Sequence, residues 1–140
     1  MPSGNNACVL DSSILLAVLL EEPGYEHYLT VIDSYGELLI GAPTLAEAAA
    51  VMQYRTGPDG LGSVLRLLEK WSVRIVPFDR LHAIEAVDAA RRFGKGRHPA
   101  ALNMGDCNSY ATAKVAGLAL LYKGDDFALT DLPPLTPPAS

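Results

Sequence analysis

The sequence predicts an α/β sandwich built on a short, mostly parallel sheet. Four brief apolar runs, near residues 7–10, 38–40, 73–76 and 118–122, alternate with one or two stretches of helical period each. Parallel strands need long crossovers, and helices are the usual crossovers, so this alternation favours helices on both faces of one sheet. With 49% apolar and 19% charged residues, the 140-residue chain is the size and composition of one globular unit with a shared core.

Ala7–Leu10 follows the turn residues Gly4, Asn5 and Asn6 and ends at Asp11, which suits a buried strand. Ser12 and Ser13 then open a helix to about Leu20, stopped by Pro23-Gly24. Tyr25, Tyr28, Leu29, Ile32 and Tyr35 recur at helical spacing as far as Gly36. Leu38, Leu39 and Ile40 form the second strand, closed by Gly41 and Pro43; Thr44 with Glu47 reads as a capping box before an alanine-rich helix. After the Gly57-Pro58-Asp59-Gly60 break, Leu61, Val64, Leu65 and Leu68 mark one face of a helix ending at Trp71.

Val73, Ile75 and Val76 make the third strand, and Asp79 caps a helix with Leu81, Ile84, Val87 and Ala90 on one side, ending near Gly94. A loop runs from Gly94 to Leu102, and Gly105 and Asp106 start a helix that Gly117 ends. Leu118 to Tyr122 is the fourth strand. The domain is expected over residues 1–132, with an extended proline-rich tail over residues 133–140.

No basic cluster opens the chain, and the apolar run Ile14 to Leu20 is too short to span a bilayer, so the expectation is a cytoplasmic protein without membrane association. Cys8 and Cys107 read as small buried residues of a reducing compartment, because no Cys/His spacing matches a zinc site.

In open parallel sheets, ligands gather at the carboxyl ends of the strands. Asp11, Glu47, Asp106 and Asp126 all fall at that rim. Singly, each has a plain explanation: Asp11, Asp106 and Asp126 suit helix N-caps, and Glu47 completes the Thr44 box. Together they are costly, since carboxylates in one pocket raise each other's pKa unless a cation neutralises them. An all-oxygen set favours Mg²⁺ or Mn²⁺ over zinc, and such sites support hydrolysis of phosphate esters.

The net charge of −5 repels nucleic acid unless basic groups are gathered locally. Arg91, Arg92, Lys95, Arg97 and His98 are gathered, just before Asp106, and form a candidate RNA-binding segment; alternatively Arg91 and Arg92 complement the end of their own helix. A nucleotide-binding Rossmann unit is excluded, because no Gly-rich turn follows the first strand.

The ordered segments Val9-Leu10-Asp11-Ser12-Ser13, Thr44-Leu45-Ala46-Glu47, Asn103-Met104-Gly105-Asp106-Cys107 and Lys123-Gly124-Asp125-Asp126-Phe127 resemble those of VapC-type PIN domains. The likeness runs from Cys8 to about Leu132 and is sharpest from Gly94 through Asp106 to Phe127 and Thr130-Asp131.

It implies a three-layer α/β/α fold and a Mg²⁺- or Mn²⁺-dependent endoribonuclease, the toxin of a type II toxin–antitoxin pair. Asp11, Glu47, Asp106 and Asp126 would be its catalytic metal ligands, with Ser12 and Asp125 beside the metal. Asp126 is preferred over Asp125 because it precedes Phe127 as in the motif. The resemblance also implies an RNA substrate, a homodimer, a VapB-like antitoxin, and operator DNA bound only through that antitoxin. The competing reading is a non-catalytic α/β regulatory domain that docks nucleic acid or protein.

Overall fold

The computed structural model describes residues 6–135. Its sheet has four strands, all parallel: β1 (Ala7–Leu10), β2 (Glu37–Gly41), β3 (Arg74–Val76) and β4 (Ala119–Leu121), in the order β3-β2-β1-β4. The helices are α1 (Ser12–Leu19), α2 (Tyr25–Asp33), α3 (Ala42–Thr56), α4 (Gly60–Lys70), α5 (Arg80–Phe93) and α6 (Met104–Ala116), and a 3-10 turn spans Asp126–Leu129.

Strand side chains alternate between faces, and the core divides accordingly. Cys8, Leu10, Leu38, Ile40 and Leu121 meet Ile14 and Leu15 of α1, Ile32 of α2, Ala48 and Met52 of α3 and Val64 and Leu68 of α4. Val9, Leu39 and Leu120 point the other way, onto Ala86, Ala89 and Phe93 of α5 and Cys107, Tyr110, Ala111 and Ala113 of α6. Three layers result, as expected. Both cysteines are buried free thiols, and burial pushes that of Cys8 up to about 12. Among the described residues, no helix is long and apolar enough to cross a membrane.

Several local expectations need correction. α3 begins at Ala42, with Gly41 as its N-cap and Pro43 inside the first turn, where a missing N–H costs nothing and the fixed φ favours the helix. Thr44 therefore does not cap, and Glu47 is not its capping partner. α6 begins at Met104 rather than at Gly105 and Asp106: the Asn103 side chain is its N-cap, and Asp106 is the reciprocal member of a capping box.

The expected apolar stripe of α5 is largely on the surface. Leu81, Ile84 and Val87 are exposed, while His82, Ala86, Ala89 and Phe93 face inward. Small Ala86 and Ala89 let α5 lie close against the alanines of α6, an approach that the bulkier set would prevent. α4 likewise buries Val64 and Leu68 and leaves Leu61 and Leu65 exposed. Of the expected tail, residues 136–140 lie outside the described residues; Leu135 packs against the α1–α4 side of the core.

Candidate functional site

The carboxyl ends of β1, β2 and β4 meet the first turns of α1, α3 and α6 at one rim. Asp11 follows β1 directly, and its N–H donates to Leu121 O at 3.0 Å, locking it to the end of β4. Its carboxylate is nearly buried. Oδ2 accepts from Ser13 N (3.2 Å) and Ser13 Oγ (2.6 Å), and Oδ1 accepts from Ser109 Oγ (2.5 Å). Asp11 thus caps α1 and also faces the rim, so the two roles are compatible.

Asp106 is held in the first turn of α6: Oδ2 accepts from Asn103 N at 3.0 Å, and its own N–H donates to Asn103 Oδ1 at 2.8 Å. Burial pushes its carboxyl up to about 6, against the opposing pull of the Asn103 N–H; Asp11, Asp126 and Glu47 each raise it further. The side chains at 11, 47, 106 and 126 therefore share one electrostatic neighbourhood.

Glu47 lies half-buried on α3. Burial raises its proton affinity, the Ser12 hydroxyl hydrogen-bonded to it lowers it, and Asp11 raises it again. Gly105 explains how α6 fits over this group: a Cβ there would strike the Glu47 carboxylate. Glycine at 105 lets the Glu47 carboxylate stay where it is; a larger residue would have to displace the end of that side chain.

Of the adjacent pair at the 3-10 turn, Asp126 acts on Asp106, whereas Asp125 acts on the Tyr122 phenol. Both are exposed. Phe127, buried and 5.0 Å from the Tyr122 ring, anchors the turn.

Among the described residues, no three His, Cys, Asp or Glu groups converge on one point closely enough to hold an ion as they stand. Asp11, Asp126 and Glu47 each bear electrostatically on Asp106, and Asp11 on Glu47. A cavity of about 530 Å³ lies elsewhere, lined by Leu120, Tyr122, Phe127 and Leu132 among others, and contains none of the four acids.

The basic segment divides. Arg91 pairs with Asp88 at 2.7 Å; Arg92 pairs with Asp88 (3.3 Å) and Asp131 (3.0 Å) and lies 4.6 Å over the Phe93 ring. Asp131 also accepts from Tyr110 Oη (2.6 Å) and Lys114 Nζ (3.2 Å), and these hydrogen bonds hold its carboxyl down to about 2 against the effect of burial. His98 Nδ1 accepts from Ala100 N at 3.0 Å, with its ring edge-on to Phe93. Lys95 and Arg97 are exposed and, among the described residues, have no ion-pair partner.

Ser13, Thr44, Gly105 and Ser109 were not singled out from the sequence as parts of the site. The available signal was spacing: Thr44 stands three residues before Glu47 and Ser109 three after Asp106, so each hydroxyl shares a helix face with an acid.

The pattern of the PIN domain family matches residues 8–132. Full-length relatives agree: the chain is 41% identical over 124 residues to a protein named Ribonuclease VapC from Mycolicibacterium smegmatis, covering 89% of this chain and 96% of that one. The chain belongs to the PIN-domain family, in its VapC branch. Ribonuclease VapC30 of Mycobacterium tuberculosis is 38% identical to it, with 89% of this chain and 95% of that one aligned.

Solved structures carry the same fold as this PIN domain. Mycobacterium tuberculosis VapC20, described as a sarcin-ricin loop cleaving toxin, superposes with a TM-score of 0.74 at 14% identity, covering 93% of this chain and 99% of that one. VapBC2 from Rickettsia felis, bound to a DNA fragment from its promoter, gives 0.68 at 15% identity, covering 90% and 95%.

Proposed function

We propose that this chain is a divalent-metal-dependent endoribonuclease acting as the toxin of a toxin–antitoxin pair, with Asp11, Glu47, Asp106 and Asp126 holding Mg²⁺ or Mn²⁺. The observation that carries the site is placement: Asp11 closes β1, Asp106 stands in the first turn of α6, and the Glu47 carboxylate lies against the adjoining Gly105; Asp11, Asp126 and Glu47 add to the burial that raises the Asp106 carboxyl. Four carboxylates at one rim are disfavoured at neutral pH unless a cation offsets them. The donor set suits a hard ion: it is all carboxylate, with the Ser12 hydroxyl beside Glu47. When bound, such an ion supplies a water activated for attack and neutralises charge growing on the phosphate.

The remaining roles fall to the chain itself. Asp11 is fixed by three hydrogen bonds, and Asp106 by its capping box, so both offer carboxylates of defined orientation. Asp126 is taken as the fourth acid, a choice supported by its electrostatic influence on Asp106. Lys95 and Arg97 supply free positive charge for the RNA backbone, with His98 beside them. Arg91 and Arg92 serve mainly to tie α5 to its own Asp88 and to Asp131.

The relatives being VapC ribonucleases supports the ribonuclease reading, and the toxin–antitoxin complexes that share this fold support a VapB-like antitoxin as partner. A homodimer, cytoplasmic action on RNA and operator binding through the antitoxin complete the proposal. Purified protein with Mn²⁺ should cleave structured RNA, EDTA should stop it, and Asp106→Asn should lack activity. Undiminished cleavage by that variant refutes the site.

A further inference from the structure

Asp11 is the most buried of the four acids, and both of its oxygens are occupied by hydroxyl donors. Ser109 Oγ lies 2.5 Å from Asp11 Oδ1, and Thr44 Oγ1 lies 3.2 Å from Ser109 Oγ. A serine hydroxyl has one hydrogen, and a carboxylate only accepts. The Ser109 hydrogen therefore goes to Asp11, which leaves Thr44 as the donor to Ser109. The chain of hydrogen bonds has one direction: Thr44 to Ser109 to Asp11. On the other oxygen, Ser13 Oγ donates to Oδ2 and accepts from Lys123 N at 3.0 Å, so its direction is fixed too.

Placement gives the relay its interest. Thr44 lies on the face of α3 that carries Glu47, and Ser109 on the face of α6 that carries Asp106. The relay thus joins the two helices bearing those acids to the strand end bearing Asp11. Ser109 and Thr44 are 0% and 1% exposed. Burying a hydroxyl is unfavourable unless it is paired, and neighbouring Ala111 and Ala113 show that the core side of α6 accepts alanine.

We propose that Ser109 and Thr44 are positioning residues: their hydroxyl relay sets the orientation in which Asp11 offers its carboxylate to a divalent cation. The inference rests on the metal-site reading above. Groups that hydrogen-bond to a metal ligand typically govern affinity by about 10–100-fold.

The test is Mn²⁺ titration by calorimetry on the purified full chain, with a melting curve for every variant. Ser109→Ala and Thr44→Val should each weaken Mn²⁺ binding by roughly 10-fold or more, while Thr44→Ser, which keeps the hydroxyl, stays near wild type. Because Thr44 acts through Ser109, the double variant should bind little worse than Ser109→Ala alone. In RNA cleavage, kcat should fall with KM nearly unchanged.

Variants that melt lower yet bind Mn²⁺ as the wild type does would make the relay merely structural and overturn the inference, leaving the metal site standing. Additive losses in the double variant would also overturn it. Asp106→Asn is the control: if the wild type binds no better than that variant, the metal-site reading falls and takes this inference with it.

Discussion

Removing one charge from the acidic rim should stabilise the metal-free protein, and Asp106→Asn is the cleanest way to do it. The amide keeps an oxygen acceptor for the Asn103 N–H, so the α6 cap survives, while the cost of burying a charged carboxylate, and with it the repulsion from Asp11, Asp126 and Glu47, is lost. In the folded chain, the Asp106 carboxyl titrates near 6 instead of the ordinary 3.8. At about 1.4 kcal/mol per pH unit of displacement, ionising it in the fold costs at most about 3 kcal/mol. Solvent screening of this half-buried group lowers that to roughly 1–2 kcal/mol.

The sign follows from linkage. A carboxyl whose folded pKa is raised destabilises the fold fully above the folded value and not at all below the unfolded one. Asp106→Asn should therefore melt higher than wild type at pH 8, by roughly 3–10 °C for a domain of this size. The gain should shrink as pH falls through 6 and vanish by about 4. Thermal melts in metal-free buffer, with EDTA, across that range are the assay. Saturating Mn²⁺ should reverse the order by stabilising only the wild type. Equal melting temperatures at pH 8, or a variant less stable there than wild type, would refute the burial and repulsion that raise the Asp106 carboxyl.

Other consequences are open to direct measurement. Gly105→Ala should push the Glu47 carboxylate aside and impair Mn²⁺-dependent cleavage, whereas Gly36→Ala, where an added Cβ makes only an ordinary contact with the Asn6 carbonyl, should leave cleavage intact; turnover assays on both decide it. Lys95→Ala with Arg97→Ala should weaken RNA binding and lower the slope of log affinity against log salt by about 1–2, while Arg91→Ala, whose guanidinium is paired with Asp88, should change that slope least. Tyr110→Phe removes a buried donor to Asp131 and should cost about 1 kcal/mol in urea unfolding. The Asp131 carboxyl is held low, so its contribution should be present above pH 4 and fade as pH falls towards 2.

Much of the fold was legible because strand and helix periods differ. Short apolar runs ending at Asp11, Gly41 and Tyr122 mark where three strands stop, and that placed the acids at one rim before any coordinates. Helix starts were harder. Pro43 looked like the end of a strand and is the first turn of a helix, which gave Thr44 a capping role it does not have. The α5 stripe misled because helix packing there favours small residues, and large apolar ones lie outside.

At the site, the acids could be read but their supports could not. Serine and threonine in helices serve many purposes, so the link from Thr44 through Ser109 to Asp11 needed positions 65 and 98 residues apart to be brought together. The choice between Asp125 and Asp126 turns on direction, which adjacent sequence positions do not encode. The capture of Arg92 by Asp131, 39 residues away, is similarly long-range. It separates the paired arginines from Lys95 and Arg97, a division that local charge density hid.

Anomalous diffraction from crystals grown with Mn²⁺ would locate the ion itself. A peak bounded by oxygens of Asp11, Glu47, Asp106 and Asp126 is expected, and it should be lost in Asp106→Asn. An ion bound elsewhere, or no ion at that rim under conditions where the protein cuts RNA, would contradict this metal site.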